Sequence, residues 1–282
     1  MNILQSFNER SGMKNNIGVI TTLHEDKPCF TELKRYNLNV CQLVSWSSDI
    51  WNDRLAERVA DEAKKSGVEI SAFWSGYCPP NDWNFTTGPL TLGLVPAAYR
   101  SHRVAELIRA GSFAKKLGVK AIITHVGFIP ENAYDPVFHE VVVAVRQIAQ
   151  HLQQLGLEFW FETGQETPVT LMRMIQAVGL PNLGINLDPA NLILYGKGNP
   201  IDALDVFGKY VRNIHAKDGL YPTDPMKLGA EVKVGTGKVR FPEFVRRLEE
   251  IGFVGEFIIE REISGEQQAR DILETIKYLK EL

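Results

Sequence analysis

The sequence predicts a single (β/α)8 barrel, and three observations carry that prediction. Short runs rich in Val, Ile and Phe recur along the chain, each followed by a longer segment whose apolar residues have helical spacing; strand-then-helix alternation is the pattern of a parallel sheet covered by helices. The alternation occurs eight times with no composition break or linker, so 282 residues divide into units of about 35 and form one domain, 1–282. Length alone, at roughly 150 residues per domain, would suggest two, but barrels of about this size fold as one unit. Finally, no GxGxxG follows the first strand and the candidate chemistry gathers in the second half of the chain, which weighs against the alternative, a doubly wound open sheet.

The elements follow in order. A polar arm, 1–16, leads into strand one, IGVIT (17–21); strand two is VCQLV (40–44), followed by a helix over 52–66. Strand three is EISAFW (69–74). A long connection rich in Pro, Asn and Gly, 77–99, carries Trp83 to a helix over 101–117. Strand four, KAIITHVG (120–127), precedes a helix over 137–154, and strand five is LEFWFETG (157–164). Thr167 and Pro168 then form an N-cap and first-position pair before VTLMRMIQAV, which stops at Gly179. Strand six, LGINLDPAN (183–191), is followed by Asn199 and Pro200, which open the next helix in the same way. After strand seven, VRNIHAKD (211–218), a second long connection, 219–240, includes Tyr221, Pro222 and Gly235-Thr236-Gly237. Pro242 opens EFVRRLEEI, strand eight is EFIIERE (256–262), and Ser264 with Gln267 has the form of a capping box for the last helix. The two long connections are read as substrate walls or lids, or as plain surface excursions.

Composition removes several function classes. Lys plus Arg is 31 against 34 Asp plus Glu, a net charge of −3, so no polyanion is gripped by bulk charge and no nucleic-acid partner is expected. Three cysteines without a CxxC pair fit a reducing compartment. The polar start MNILQSFNERSGMKNN lacks a signal-peptide core, and no run approaches the ~18 apolar residues of a membrane span. The expected location is the cytoplasm.

Four apolar strands in succession end in a ligating residue: Glu162, Asp188, His215 and Glu260. Functional groups of such barrels belong at the carboxyl ends of the strands. Alternate strand residues share a face, so Asn186 lies one layer beneath Asp188 and Asn213 one layer beneath His215, where amides could orient the groups above them. Three carboxylates packed together repel one another unless something positive sits among them. A divalent cation resolves this, and one nitrogen with several oxygens suits Mn²⁺, Mg²⁺, Co²⁺ or Zn²⁺. The competing reading is a set of unrelated edge residues or salt bridges to Lys217 or Arg261.

The ordered segments FETG (161–164), NLDPAN (186–191), NIHAKD (213–218), VGTGKVRFPEF (234–244) and IIERE (258–262) resemble the sugar isomerase and epimerase superfamily built on the xylose isomerase-like TIM barrel. That superfamily includes ketose 3-epimerases, inosose isomerases and dehydratases, hydroxypyruvate isomerase and zinc-dependent apurinic endonucleases. The resemblance spans the barrel and is most specific over 157–262. It implies one divalent metal ion held by Glu162, Asp188, His215 and Glu260, with Glu162 and Glu260 also serving as the acid/base pair. The chain departs from the epimerases in having Asn191 where they place a substrate-touching His, and Lys217-Asp218-Gly219-Leu220 where they tend to have an Arg. The three-metal endonucleases need that His and further His ligands, which this chain lacks.

The chemistry implied is isomerisation or epimerisation of a small sugar, keto-polyol or related hydroxy-ketone. A cation that chelates a carbonyl oxygen and the neighbouring hydroxyl acidifies the C–H between them and stabilises the enediolate. The alternative on the same site is dehydration of a keto-sugar or inosose. Lys217 shares the parity of His215 and is read either as a charge near a developing oxyanion or as a solvated rim lysine. His125, in THVG, is a substrate contact or proton shuttle, or a structural histidine. Trp74 offers a face for sugar stacking or fills the core, and Gln165 and Glu166 follow the strand-five ligand as substrate contacts. The expected partner is a small-molecule carbohydrate; barrels of this kind commonly form homo-oligomers, with no interface legible here.

Overall fold

In the computed structural model, which describes residues 17–282, eight parallel strands close into a barrel wrapped by helices. The arm read at 1–16 lies outside the described residues. The first half comprises β1 (Ile17–Thr22), α1 (Thr31–Tyr36), β2 (Val40–Ser45), α2 (Asp53–Ser66), β3 (Glu69–Ser75), α3 (Gly88–Thr91), α4 (Ala97–Leu117), β4 (Ala121–Thr124) and α5 (Pro136–Gln154). The second comprises β5 (Glu158–Glu162), α6 (Pro168–Val178), β6 (Leu183–Leu187), α7 (Pro189–Leu194), α8 (Pro200–Phe207), β7 (Val211–Ala216), β8 (Asp218–Leu220), β9 (Ala230–Val232), α9 (Phe241–Glu250), β10 (Glu256–Ile259) and α10 (Glu266–Glu281). The sheet runs β1-β10-β7-β6-β5-β4-β3-β2 and closes through β1 against β2. The single (β/α)8 barrel read from the sequence is therefore the fold.

Most of the core lies between the barrel wall and the helices, where the apolar runs meet helical faces such as Val141, Val145 and Ile148 of α5. A smaller cluster of Ala72, Trp74, Ala121, Ile123 and Trp160 fills the barrel interior. Trp160 explains Gly184 on the neighbouring strand: a Cβ there would come within 2.5 Å of the indole.

Several helix starts follow their local chemistry. Thr167 caps α6 by accepting from the Thr170 N–H at 3.3 Å, and Asn199 caps α8 by accepting from Ile201 N–H at 2.8 Å. The Ser264/Gln267 capping box is corrected: α10 starts after Gly265, with no side-chain cap. The φ of +79° at Gly265 turns the chain there, one residue later than a Ser264 cap requires.

Strand six is also shorter than its apolar run implied. β6 ends at Leu187, and Asp188-Pro189 starts α7: Asp188 Oδ1 accepts from Asn191 N–H at 2.9 Å and Pro189 takes a helix-opening position. The two long connections are structured. Residues 77–99 contain α3 and are pinned by buried Arg103, which donates to the carbonyls of Cys78, Pro80, Thr91 and Gly93. Residues 219–240 form part of an antiparallel hairpin, β8 with β9. Its return loop folds around Asp218, whose carboxylate accepts the N–H groups of Gly219, Gly235, Gly237 and Val239. A Cβ on Gly237 would stand 2.2 Å from Asp218 Oδ1, so the GTG turn is loop chemistry that serves this cradle. Among the described residues no helix is long and apolar enough to cross a membrane.

Candidate active site

The ends of β5, β6, β7 and β10 bring Glu162, Asp188, His215 and Glu260 together, each offering an atom within 4.8 Å of the others. Glu162 ends β5, His215 lies inside β7, and Asp188 and Glu260 stand one residue past their strands. His215 is the hub: its Nδ1 is 2.9 Å from Glu162 Oε1, 2.9 Å from Glu260 Oε2 and 3.9 Å from Asp188 Oδ2. Because Asp188 uses Oδ1 for the α7 cap, Oδ2 is left for the site.

The layer beneath contains the two predicted amides and one residue the sequence reading missed. Gln42, fully buried on β2, places Oε1 2.7 Å from His215 Nε2. An amide oxygen only accepts, so Nε2 carries the proton and donates. Asn186 Oδ1 accepts from Asn213 Nδ2 at 2.5 Å and from Gln42 Nε2 at 3.5 Å. The amides thus orient the imidazole through Gln42 and make no hydrogen bond to the carboxylates. The signal in the sequence was a Gln interrupting the apolar run VCQLV.

These geometries fit a cation. With its proton on Nε2, a neutral His215 directs the Nδ1 lone pair at two carboxylate oxygens, which is repulsive unless a positive charge lies between them. His215 Nδ1, Asp188 Oδ2 and Glu260 Oε2 are also buried without a hydrogen-bond partner among the described residues. Three carboxylates and one imidazole suit a hard to borderline divalent ion. Without one, burial opposes charge on His215, yet Glu162 and Glu260 hold its pKa well above the usual imidazole range. Burial likewise opposes ionisation of Glu162, but His125 and His215 hold its carboxyl well below the usual range.

Lys217 is buried among carboxylates, with Nζ 2.9 Å from Glu262, 3.5 Å from Asp188 and 3.5 Å from Glu260. Despite burial, Glu260, Asp188 and Glu262 keep it firmly charged. It is not a solvated rim residue. Arg261, the other suggested partner, turns away to Asp271 at 2.8 Å and Glu231 at 2.9 Å.

His125 follows β4 with Nε2 3.5 Å from Glu162 Oε1. Trp74 donates its indole N–H to Glu162 Oε2, fixing the carboxylate's second oxygen. Asn191 lies between Lys217 Nζ, 3.4 Å from its Oδ1, and Thr163 O, 3.3 Å from its Nδ2. Gln165 is buried nearby in the β5–α6 loop. Above these groups opens a cavity of about 440 Å³ whose walls include Trp46, Trp83, Tyr195 and Glu262. Trp46 packs on Trp74 at 4.9 Å and Trp83 on His125 at 5.0 Å between ring centroids. Trp46, Tyr195 and Glu262 were not singled out from sequence, because nothing local marks a loop residue as facing a mouth.

A family profile described as xylose isomerase-like TIM barrel matches residues 30–282. The chain belongs to that family. A xylose isomerase domain protein from Planctomyces limnophilus is 34% identical in solved structure, with TM-score 0.87, covering 94% of this chain and 95% of that one. A D-tagatose 3-epimerase-like protein shares the xylose isomerase-like fold at 20% identity and TM-score 0.73, over 94% and 96% of the two chains. An uncharacterized protein, MJ1311, of Methanocaldococcus jannaschii is 25% identical over 181 residues; the match covers 60% of this xylose isomerase-like chain and 58% of that relative's length.

Proposed function

We propose that this xylose isomerase-like barrel is a divalent-metal-dependent isomerase or epimerase of a sugar, keto-polyol or related hydroxy-ketone. The observation that carries this reading is the convergence of His215 Nδ1, Asp188 Oδ2 and Glu260 Oε2, buried and without a hydrogen bond among the described residues, beside Glu162 at the barrel mouth. Glu162, Asp188, His215 and Glu260 would hold the ion, which when bound polarises a carbonyl and its neighbouring hydroxyl and so acidifies the C–H between them.

The chain supplies the rest. Glu162 and Glu260 approach His215 Nδ1 at 2.9 Å each, so a substrate seated above the histidine has a carboxylate on either side. One removes the proton and the other returns it. Glu162 is kept ionised by His125 and His215 and fixed by the Trp74 N–H, as a base requires. Lys217 holds a positive charge beside Asp188 and Glu260, positioned to offset negative charge on a substrate oxygen. Trp46 and Trp83 wall the cavity with apolar rings on which sugar C–H groups stack.

Mn²⁺-loaded protein incubated with ketoses in D₂O is expected to incorporate solvent deuterium at the carbon next to the carbonyl, and Glu162→Gln to abolish it while thermal unfolding stays cooperative. Full metal affinity and exchange in a Glu162→Gln, Asp188→Asn double variant would refute the proposal. A product lighter by one water would assign the site to dehydration instead.

A further inference from the structure

A second set of ligating side chains joins the β3–α4 connection to α4. Cys78 follows the last residue of β3 by three positions, and His102 and Glu106 stand four apart on α4, a spacing that puts them on one face of the helix. Each of the three offers an atom within 4.8 Å of the others, and the set shares no member with Glu162, Asp188, His215 and Glu260.

Two of the three are held in place by their surroundings. Glu106 is buried, 4% exposed; its Oε2 accepts from the Cys78 N–H at 2.9 Å and its Oε1 from Ser48 Oγ at 2.7 Å. Each carboxylate oxygen has two lone pairs, so each keeps one for a further partner. Arg103 holds Cys78 from the other side, donating to its carbonyl at 2.9 Å and to that of Pro80 at 2.6 Å. The Cys78 backbone is thus fixed at both its N–H and its C=O. His102 comes from the surface: its Nε2 is 3.8 Å from Glu106 Oε1 and its side chain is 68% exposed, which gives an ion a path from solvent.

The separations and the donor atoms suit zinc. Bonds of about 2.0 Å to oxygen and nitrogen and about 2.3 Å to sulfur, at tetrahedral angles, put ligand atoms about 3.3–3.5 Å apart. The 3.8 Å between His102 and Glu106 closes to that by a small turn of an exposed ring. A thiolate and an imidazole beside one carboxylate form a softer set than the three carboxylates at the mouth, and sulfur favours Zn²⁺ over Mn²⁺ or Mg²⁺. A catalytic Cys–His pair fits less well, because burial and Glu106 push the Cys78 thiol up and leave it a weak nucleophile.

We propose that Cys78, His102 and Glu106 form a zinc site, with water in the fourth position, that fastens the β3–α4 connection to α4. That connection carries Trp83, a wall of the mouth cavity, so the ion secures the wall from outside the reacting centre.

The test titrates the chelator-treated, reduced full chain with Co²⁺ and reads thiolate-to-metal charge-transfer absorption in the near ultraviolet. The mouth cluster contains no sulfur and cannot give this signal, so the outcome is independent of the proposed function. A saturable band is expected in the wild type, undiminished in a Glu162→Gln, Asp188→Asn variant, displaced by Zn²⁺, and abolished in Cys78→Ser, which leaves Cys29 and Cys41 in place. His102→Gln, a change at an exposed side chain, is expected to weaken Co²⁺ binding at least about tenfold. No band in the folded wild type, a band that survives Cys78→Ser or resists Zn²⁺, a band lost in the mouth variant, or a Kd within about twofold of wild type in His102→Gln would each overturn the proposal. Should Cys78→Ser fail to fold, His102→Gln decides alone.

Discussion

Replacing Gln42 with Met tests whether the amide layer controls the proposed metal ligands. Met keeps much the same length and volume, so the change removes polar contacts rather than packing. What disappears is the acceptor 2.7 Å from His215 Nε2 and a long 3.5 Å donation to Asn186, which keeps its 2.5 Å bond from Asn213. The His215 N–H is then buried without a partner, at a cost of about 1–3 kcal/mol. Losing the group that fixes a ligand histidine's tautomer lowers metal affinity about 10–100-fold, or about 1.4–2.8 kcal/mol at 1.4 kcal/mol per decade, so the two routes agree in size. Calorimetric titration of chelator-treated protein with Mn²⁺ should therefore show Kd raised about 10–100-fold. A folded variant whose Kd stays within about twofold of wild type would show that Gln42 does not govern the ligand set.

Two further outcomes follow from the same chemistry. In metal-free protein His215 has a pKa raised well above the usual imidazole value by Glu162 and Glu260 against the opposing effect of burial; its contribution to stability is full below about pH 6.5 and is lost as pH rises through the raised value. Metal-free protein should therefore lose stability toward alkaline pH, while Mn²⁺ binding displaces a proton and strengthens with pH over that window; titrations in two buffers of different ionisation enthalpy count the proton, and none released would contradict the assignment. Asp218→Ala strands the four N–H groups that its carboxylate gathers, for a loss above about 3 kcal/mol and a fall in Tm on the order of 10 °C, and an unchanged Tm would show that the loop holds itself.

The cluster of Glu162, Asp188, His215 and Glu260 was legible because each member breaks a strong local pattern: a carboxylate or imidazole at the end of an apolar strand is conspicuous in a line of text. Lys217 was visible through its parity with His215, but its burial among Asp188, Glu260 and Glu262 was not. Asp188 carried two signals, and reading it as a strand end hid its second role as the cap of α7. Ser264 shows the opposite error, a correct local motif overridden by one glycine whose dihedrals turn the chain after it.

By itself, the sequence determined the barrel and the acidic and imidazole residues that meet at its mouth, because hydrophobic periodicity and strand-end chemistry are written locally. Only the tertiary structure decided that Gln42 serves His215. The two are 173 residues apart, and β2 and β7 are separated in the sheet by β1 and β10. They meet only because closure of the barrel turns side chains from its far sides into one interior. The same holds for the walls of the cavity, where Trp46, Trp83 and Tyr195 come from three loops whose directions are set by packing between distant segments.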